Sequence, residues 1–223
     1  MIGRTPSTLE ATRQSLGAPE TLSSVRGDVT DAEGIARALD TARAHHGAIH
    51  VLVNNAGQAG SAPIRKTDVA LWRRLLSVNL DGTFYTTRAV VEEMSAGGWG
   101  RIVNIASTAA LVGYPYVSAY CASKHGVVGL TRALAVELAT TGVTVNAVCP
   151  GFTETDMLND AVATIVAKTG RTPAQATAEL LARNPQHRPI RPDEVANTVL
   201  WLCLPGSDAI TGQAIAVAGG EIT

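Results

Sequence analysis

Aromatic residues are scarce in this 223-residue chain, at 4%, and charged residues make up only 17%. With so few rings, an aromatic-lined platform for sugars is not expected. The formal net charge of -1 gives no electrostatic reason for nucleic acid or an anionic membrane surface as a partner. No apolar run approaches the ~18 residues that a spanning helix needs, the longest near the end being Val199 to Leu204. Met1-Ile2-Gly3-Arg4 carries no apolar signal-peptide core, so a cytoplasmic location is expected. Cys121, Cys149 and Cys203 are odd in number and not closely spaced, which argues against a disulfide framework and a zinc site. The histidines, at 45, 46, 50, 125 and 187, do not form a metal-binding spacing with them. His125 is read as an ordinary helix residue, because neighbours i and i+1 do not share a face.

What the chain does have is one stretch almost empty of charge. Between Arg101 and Arg132 the only Lys, Arg, Asp or Glu is Lys124. Tyr120 precedes it by one helical turn, so the two side chains fall on one face. A buried ammonium beside a phenol favours the phenolate, so Tyr120 is expected to be acidified and to serve as a proton donor.

Hydrophobic periodicity arranges the rest. Leu22 to Val29, Ile49 to Val53, Arg101 to Ala106, Val143 to Val148 and Ala214 to Val217 read as strands, with Ile49 to Val53 buried on both faces. Helices are expected over Asp31 to His46, from Thr67 past Asn79, over Ser118 to Thr140 with Val127, Leu130, Leu134 and Leu138 on one face, over Thr155 to Lys168 and Pro173 to Arg183, and from Pro192. Asn79 then lies on an apolar stripe and needs hydrogen-bond partners. Alternating strands and helices, with polar residues after the strand ends, predict an α/β doubly wound parallel sheet in a single domain over 1–223.

Several short signals occur in a fixed order: Asn54-Asn55-Ala56-Gly57 after a strand, Asn79 in the next helix, Ser107 at a strand end, Tyr120-x-x-x-Lys124, and Pro150-Gly151-x-x-x-Thr155. Each alone is weak, but together they resemble the short-chain dehydrogenase/reductase family over essentially the whole chain. The resemblance implies Tyr120 as proton donor to a carbonyl, Lys124 as its tuner and ribose ligand, Ser107 as substrate anchor, and Asn79 as support for a proton-relay water. It also implies cofactor contacts from Asp28 and Val29, from Asn55, Ala56 and Gly57, and from Pro150, Gly151, Thr153 and Thr155. Thr153 stands where the family often has Val or Ile. Where the family often has an acid on the ribose 2′-hydroxyl, this chain has Gly3-Arg4, and Arg4 could pair with a 2′-phosphate, so NADP(H) is favoured over NAD(H).

The segments Ile105 to Thr108, Ser123 to Gly129 and Asn146 to Phe152 are most similar to those of reductases of 3-oxoacyl thioesters, including polyketide ketoreductases. The expected substrate is thus a small carbonyl or secondary alcohol, foremost an acyl thioester, with a steroid, sugar or other secondary alcohol left open; it is covered by helices within 154–183, where Met157, Leu158, Ile165 and Val166 could line an acyl channel or simply pack the lid. A homodimer or homotetramer through Thr67 to Ala96 and Ser118 to Thr140 is expected as well. The family's opening strand, TGxxxGxG loop and helix are not in this sequence, whose first residues resemble the tail of the second strand. From this follow the expectations of an N-terminally shortened domain, an unpartnered Leu22 to Val29 strand, a bare edge at the Val51 strand and little NADPH-dependent activity of the 223 residues themselves. The alternative reading is a non-catalytic binding or oligomerisation module.

Overall fold

The computed structural model describes residues 1–223. The order of elements is β1 (Ile2–Gly3), α1 (Pro6–Ser15), β2 (Val25–Arg26), α2 (Ala32–His46), β3 (Val51–Asn54), α3 (Val69–Leu76), a π-helical turn (Ser77–Asp81), α4 (Gly82–Ala96), β4 (Gly100–Ile105), α5 (Ser118–Glu137), β5 (Val143–Pro150), α6 (Asp156–Thr169), α7 (Pro173–Leu181), α8 (Pro192–Cys203) and β6 (Ala214–Val217). All strand pairs are parallel, in one sheet ordered β3-β4-β5-β6 and a second made of β1 and β2. The doubly wound α/β architecture is therefore the one the alternating pattern predicts.

Side chains alternate across the central strands and meet a different helix layer on each face. Ile102 and Val145 point toward α2, α4 and α5, where they join Ile35, Leu39, Val90, Met94, Ala135 and Leu138. Val103 and Val148 point the other way, onto Leu202 of α8. Because β4 and β5 are covered on both sides, their apolar residues point to both faces, and Arg101, Asn104, Thr144 and Asn146 are buried among them.

Three expectations are corrected. Val51 and Val53 are each 41% exposed, so β3 is covered on one face only; beside its open edge they line an apolar groove with Ile105, Val195, Val199 and Cys203. The second correction concerns β2, which does have a neighbour: Val25 N donates to Met1 O at 2.8 Å and Gly27 N to Gly3 O at 2.9 Å. With so short a partner, β2 itself spans only two residues. The third is the buried stripe of α5, which runs through Ser123, Lys124, Val127, Val128, Thr131 and Ala135, with Leu130 and Leu134 at its margin. Charge scarcity hid this shift, because small polar residues on α5 face the core alongside the apolar ones.

Candidate active site

The carboxyl ends of β3 and β4 are pinned by polar side chains inside the core. Asn54 and Asn104 are register partners, and Asn54 Nδ2 donates to Asn104 Oδ1 at 2.8 Å and to Thr87 Oγ1 at 3.1 Å. Thr86 Oγ1 donates back to Asn54 Oδ1 at 2.6 Å, and Asn104 Nδ2 donates to Thr131 Oγ1 at 2.9 Å. A satisfied buried network of this kind fixes one arrangement of strands and helices, since any slip would leave amides unpaired.

Above that network lies the π turn. A π turn inserts one residue into the helical ladder and is found often at functional sites. Here it carries Asn79, only 1% exposed, whose partners lie on two other segments. Its Nδ2 donates to Gln58 O at 2.9 Å and Ser123 Oγ at 3.0 Å, while its Oδ1 accepts from Gln58 N at 2.8 Å. Close approach of α5 makes this possible: a Cβ on Gly126 would lie 2.7 Å from Leu80 Cδ2, nearer than real Cβ contacts allow. The expected helix does run from α3 into α4 on either side of Asn79, but with this break in its regularity.

Tyr120, Ser123 and Lys124 stand on the first two turns of α5. Lys124 is 4% exposed, and its Nζ donates to Ile105 O at 2.7 Å. Burial lowers its pKa to about 8, with the Cys149 thiol acting weakly in the opposite direction. Two of the three ammonium protons are left without a protein acceptor, which is costly in a buried site unless a ligand accepts them. Ser107 follows β4 and accepts Ala109 N at 3.1 Å through its Oγ, and its hydroxyl lies within reach of the Tyr120 phenol.

The expected acidification of Tyr120 is not found. Its phenol is pushed up by burial, and Ser107 is the group that pulls it down. The Lys124 ammonium lies 5.9 Å from the centre of the Tyr120 ring. It is itself desolvated and turned to the Ile105 carbonyl, so its charge is spent there and not at the phenol oxygen.

The other predicted residues surround this centre. Asn55, Ala56 and Gly57 form an exposed segment after β3. A Cβ on Gly57 would lie 3.4 Å from Asn79 Oδ1 and 3.5 Å from Lys124 Nζ, so glycine keeps open the space beside the ammonium. Pro150 ends β5, Gly151 N donates to Val217 O at 3.1 Å, and Thr153 Oγ1 donates to Gly151 O at 3.0 Å. Thr155 caps α6 from an extended conformation, its Oγ1 donating to Thr153 O at 3.2 Å. Farther out, Asp28 Oδ1 accepts from Thr30 N at 2.9 Å and Thr30 Oγ1 at 2.8 Å. These bonds, led by the backbone one, hold its carboxyl below the usual range, with a small contribution from Arg4. Val29 packs into the core against α4, a Cβ on Gly82 being 2.8 Å from Val29 Cβ, and Arg4 is exposed at the end of β1.

A dinucleotide fits this set at one end. The under-coordinated Lys124 ammonium beside Gly57 suits ribose hydroxyls, and the loop from Pro150 to Thr155 follows directly on Cys149, whose thiol lies within electrostatic reach of that ammonium. For the diphosphate, the sequence offers no glycine-rich loop of backbone donors.

Some site residues gave no signal in the sequence. Ile105 and Gln58 act through main-chain atoms, which sequence does not distinguish. Ser123, which bridges Asn79 to Tyr120 O at 2.8 Å, could have been suspected from its place beside Lys124. Tyr114 and Glu221 meet at 2.5 Å from positions far apart in the chain, and only the fold brings them together.

Known proteins resemble this chain in sequence and in fold. Residues 3–221 match a family described as enoyl-(acyl carrier protein) reductase. A protein of Streptomyces coelicolor provisionally named a ketoacyl reductase is 44% identical over 177 residues, 78% of this chain and 68% of its own length. An actinorhodin polyketide ketoreductase solved with NADPH superposes with a TM-score of 0.94 at 38% identity, over 99% of this chain and 85% of that one. A gluconate 5-dehydrogenase from Burkholderia cenocepacia, solved with NADP and tartrate, gives 0.88 at 30% identity over 99% and 84%. The chain belongs to the short-chain dehydrogenase/reductase family of NAD(P)-dependent oxidoreductases.

Proposed function

We propose that this protein transfers hydride between NADP(H) and a carbonyl or secondary alcohol, acting on 3-oxoacyl thioesters. The observation that carries the reading is Lys124, an ammonium buried with a single protein acceptor, one turn from Tyr120 and next to open space at Gly57. The bound nicotinamide supplies the hydride. Tyr120 donates its phenolic proton to the carbonyl oxygen, or accepts it in the reverse direction, and Ser107 holds that oxygen with its hydroxyl. Lys124 binds ribose hydroxyls and, once these share its charge, assists the phenol. Asn79 keeps the Gln58 turn and Ser123 in register, and with them the path for a relay water.

At the outer end, Asp28 and Val29 bind the adenine, Asn55 to Gly57 flank its ribose, and Arg4 pairs with a 2′-phosphate. Pro150, Gly151, Thr153 and Thr155 hold the carboxamide. The preference for NADP(H) is supported by the NADPH and NADP bound to the two similar structures, and the thioester by the ketoreductase relatives. Residues 154–183 serve as the substrate cover within a single domain over 1–223, where the exposed Met157 offers apolar surface to an acyl chain. A homodimer or homotetramer is supported by apolar residues on the outside of α3 to α5, among them Val69 at 62%, Phe84 at 42% and Val136 at 79% exposure. Three free thiols are consistent with a cytoplasmic location.

A second reading, drawn from the open β3 edge, is a non-catalytic binding or oligomerisation module. The two are separated by NADPH oxidation with a 3-oxoacyl thioester, assayed on the 223-residue chain and on one with a glycine-rich strand-loop-helix fused ahead of Met1. Turnover in the fused chain, weak in the shorter one, supports the enzyme. No turnover in either supports the module.

A further inference from the structure

Between the Tyr114 loop and Gly151 lies a carboxylate that the proposed chemistry does not use. Glu221 lies just after β6, half-buried, and its Oε1 accepts the Tyr114 hydroxyl at 2.5 Å. Its other oxygen faces the cofactor loop, since a Cβ on Gly151 would come within 3.2 Å of Glu221 Oε2. Tyr114 lies on the loop between Ser107 and Tyr120, with its hydroxyl also under the influence of Thr108, the neighbour of Ser107. Burial, then the bond to Glu221, pushes the Tyr114 phenol up to about 12, so it stays a donor to the carboxylate at neutral pH.

Nothing neutralises the carboxylate directly. Arg183 is the cation of this cluster, but it stacks over the Tyr114 ring, 5.1 Å from its centre, and is exposed. It makes no ion pair with Glu221; the ion pairs of this region join Arg188 to Glu194 and Arg171 to Glu179. The position of Glu221 is fixed from behind as well. A Cβ on Gly219 would collide with Oδ1 of the buried Asn184, and a Cβ on Gly220 would lie 3.4 Å from Pro185 Cγ, so the segment after α7 backs the tail that carries the carboxylate.

We propose that Glu221, held by Tyr114, is a specificity-determining residue that selects substrates whose reacting end is uncharged, such as 3-oxoacyl esters and thioesters, against the corresponding free 3-oxo acids. A carboxylate fixed between the Thr108 turn and Gly151 confronts whatever group flanks the reacting carbonyl. A like charge there is repelled, while a neutral ester carbonyl is not. This inference rests on the proposed cleft being the substrate site. It does not require turnover.

The test is binding to the 223-residue chain, read by saturation-transfer NMR with ethyl acetoacetate as neutral probe and acetoacetate as anionic probe. Wild type should favour the ester. Glu221→Gln should shift the ester-to-acid affinity ratio toward the acid by about fivefold, the size expected for one partly solvated like-charge contact. Tyr114→Phe should keep the ester preference, because it removes the donor and leaves the charge. An unchanged ratio in Glu221→Gln, loss of the preference in Tyr114→Phe alone, or failure of wild type to bind either probe overturns the inference. Failure of the redox reading would show separately, as absence of NADPH oxidation in the fused chain.

Discussion

Asn79 Nδ2 and Ser123 Oγ lie 3.0 Å apart, and this bond joins the π turn to the helix that carries Tyr120 and Lys124. The same amide closes on both main-chain groups of Gln58. One side chain thus ties three segments at the mouth of the site.

Asn79→Leu should therefore lower both stability and activity. It keeps the volume but leaves the Gln58 N-H and C=O without these partners, at a cost of about 1–3 kcal/mol for buried groups left unpaired. Urea denaturation checks the first effect. Asn79→Asp is expected to bring a charge into a site already holding a desolvated ammonium, and should raise the pKa of Lys124 toward its ordinary value.

Lys124 gives the free protein an unusual pH dependence. Its folded pKa of about 8 lies below the reference of 10.5, so between these values the unfolded chain binds more protons than the folded one. Stability then rises with pH. From pH 8 to 9 the gain is about 1 kcal/mol. Above pH 9 the buried Cys149 opposes it: its pKa is raised from 9.0 to about 11, so the folded state holds the extra proton and stability falls as pH rises through that window. Wild type should thus gain stability from pH 8 to 9 and lose it again above pH 10, where Tyr114, raised from 10.0 to about 12, adds to Cys149, while Lys124→Met should show no gain. Chemical denaturation at each pH reads this directly, and a flat wild-type profile from pH 8 to 9 contradicts it.

The edge of β3 supplies a further prediction. β3 pairs with β4 alone, and Val51 and Val53 stand half-exposed beside it. An open strand edge with apolar neighbours invites pairing with another chain. The 223-residue chain should associate with rising concentration, and Val53→Lys should reduce that association in light scattering, since a charge on an edge strand blunts pairing.

Much of this was legible in the residues because chemistry and periodicity coincide there. The isolation of Lys124, the run from Val143 to Val148 and the polar residues after each strand all survive into the structure with small shifts of boundary. What was not legible depends on neighbours. Val51 and Val53 read as buried because nothing in a β-branched run tells which face lacks a helix. The phenol of Tyr120 read as acidified because spacing places Lys124 on its face, yet the ammonium turns to the Ile105 carbonyl. Asn54, Asn104 and Thr131 meet across β3, β4 and α5, and the Tyr114–Glu221 pair links a mid-chain loop to the last residues. Such partners are set by topology.

The central claim is that Tyr120 is the proton donor in a nicotinamide-dependent carbonyl reduction. The most direct measurement is single-turnover reduction of a 3-oxoacyl thioester at saturating NADPH, in the chain fused to a glycine-rich strand-loop-helix, comparing wild type with Tyr120→Phe. Removing a positioned general acid should slow the chemical step by about 10²–10⁴-fold, while NADPH affinity stays within twofold or so, because Phe keeps the ring and loses only the hydroxyl. Undiminished reduction by Tyr120→Phe, with NADPH bound as in wild type, contradicts the account.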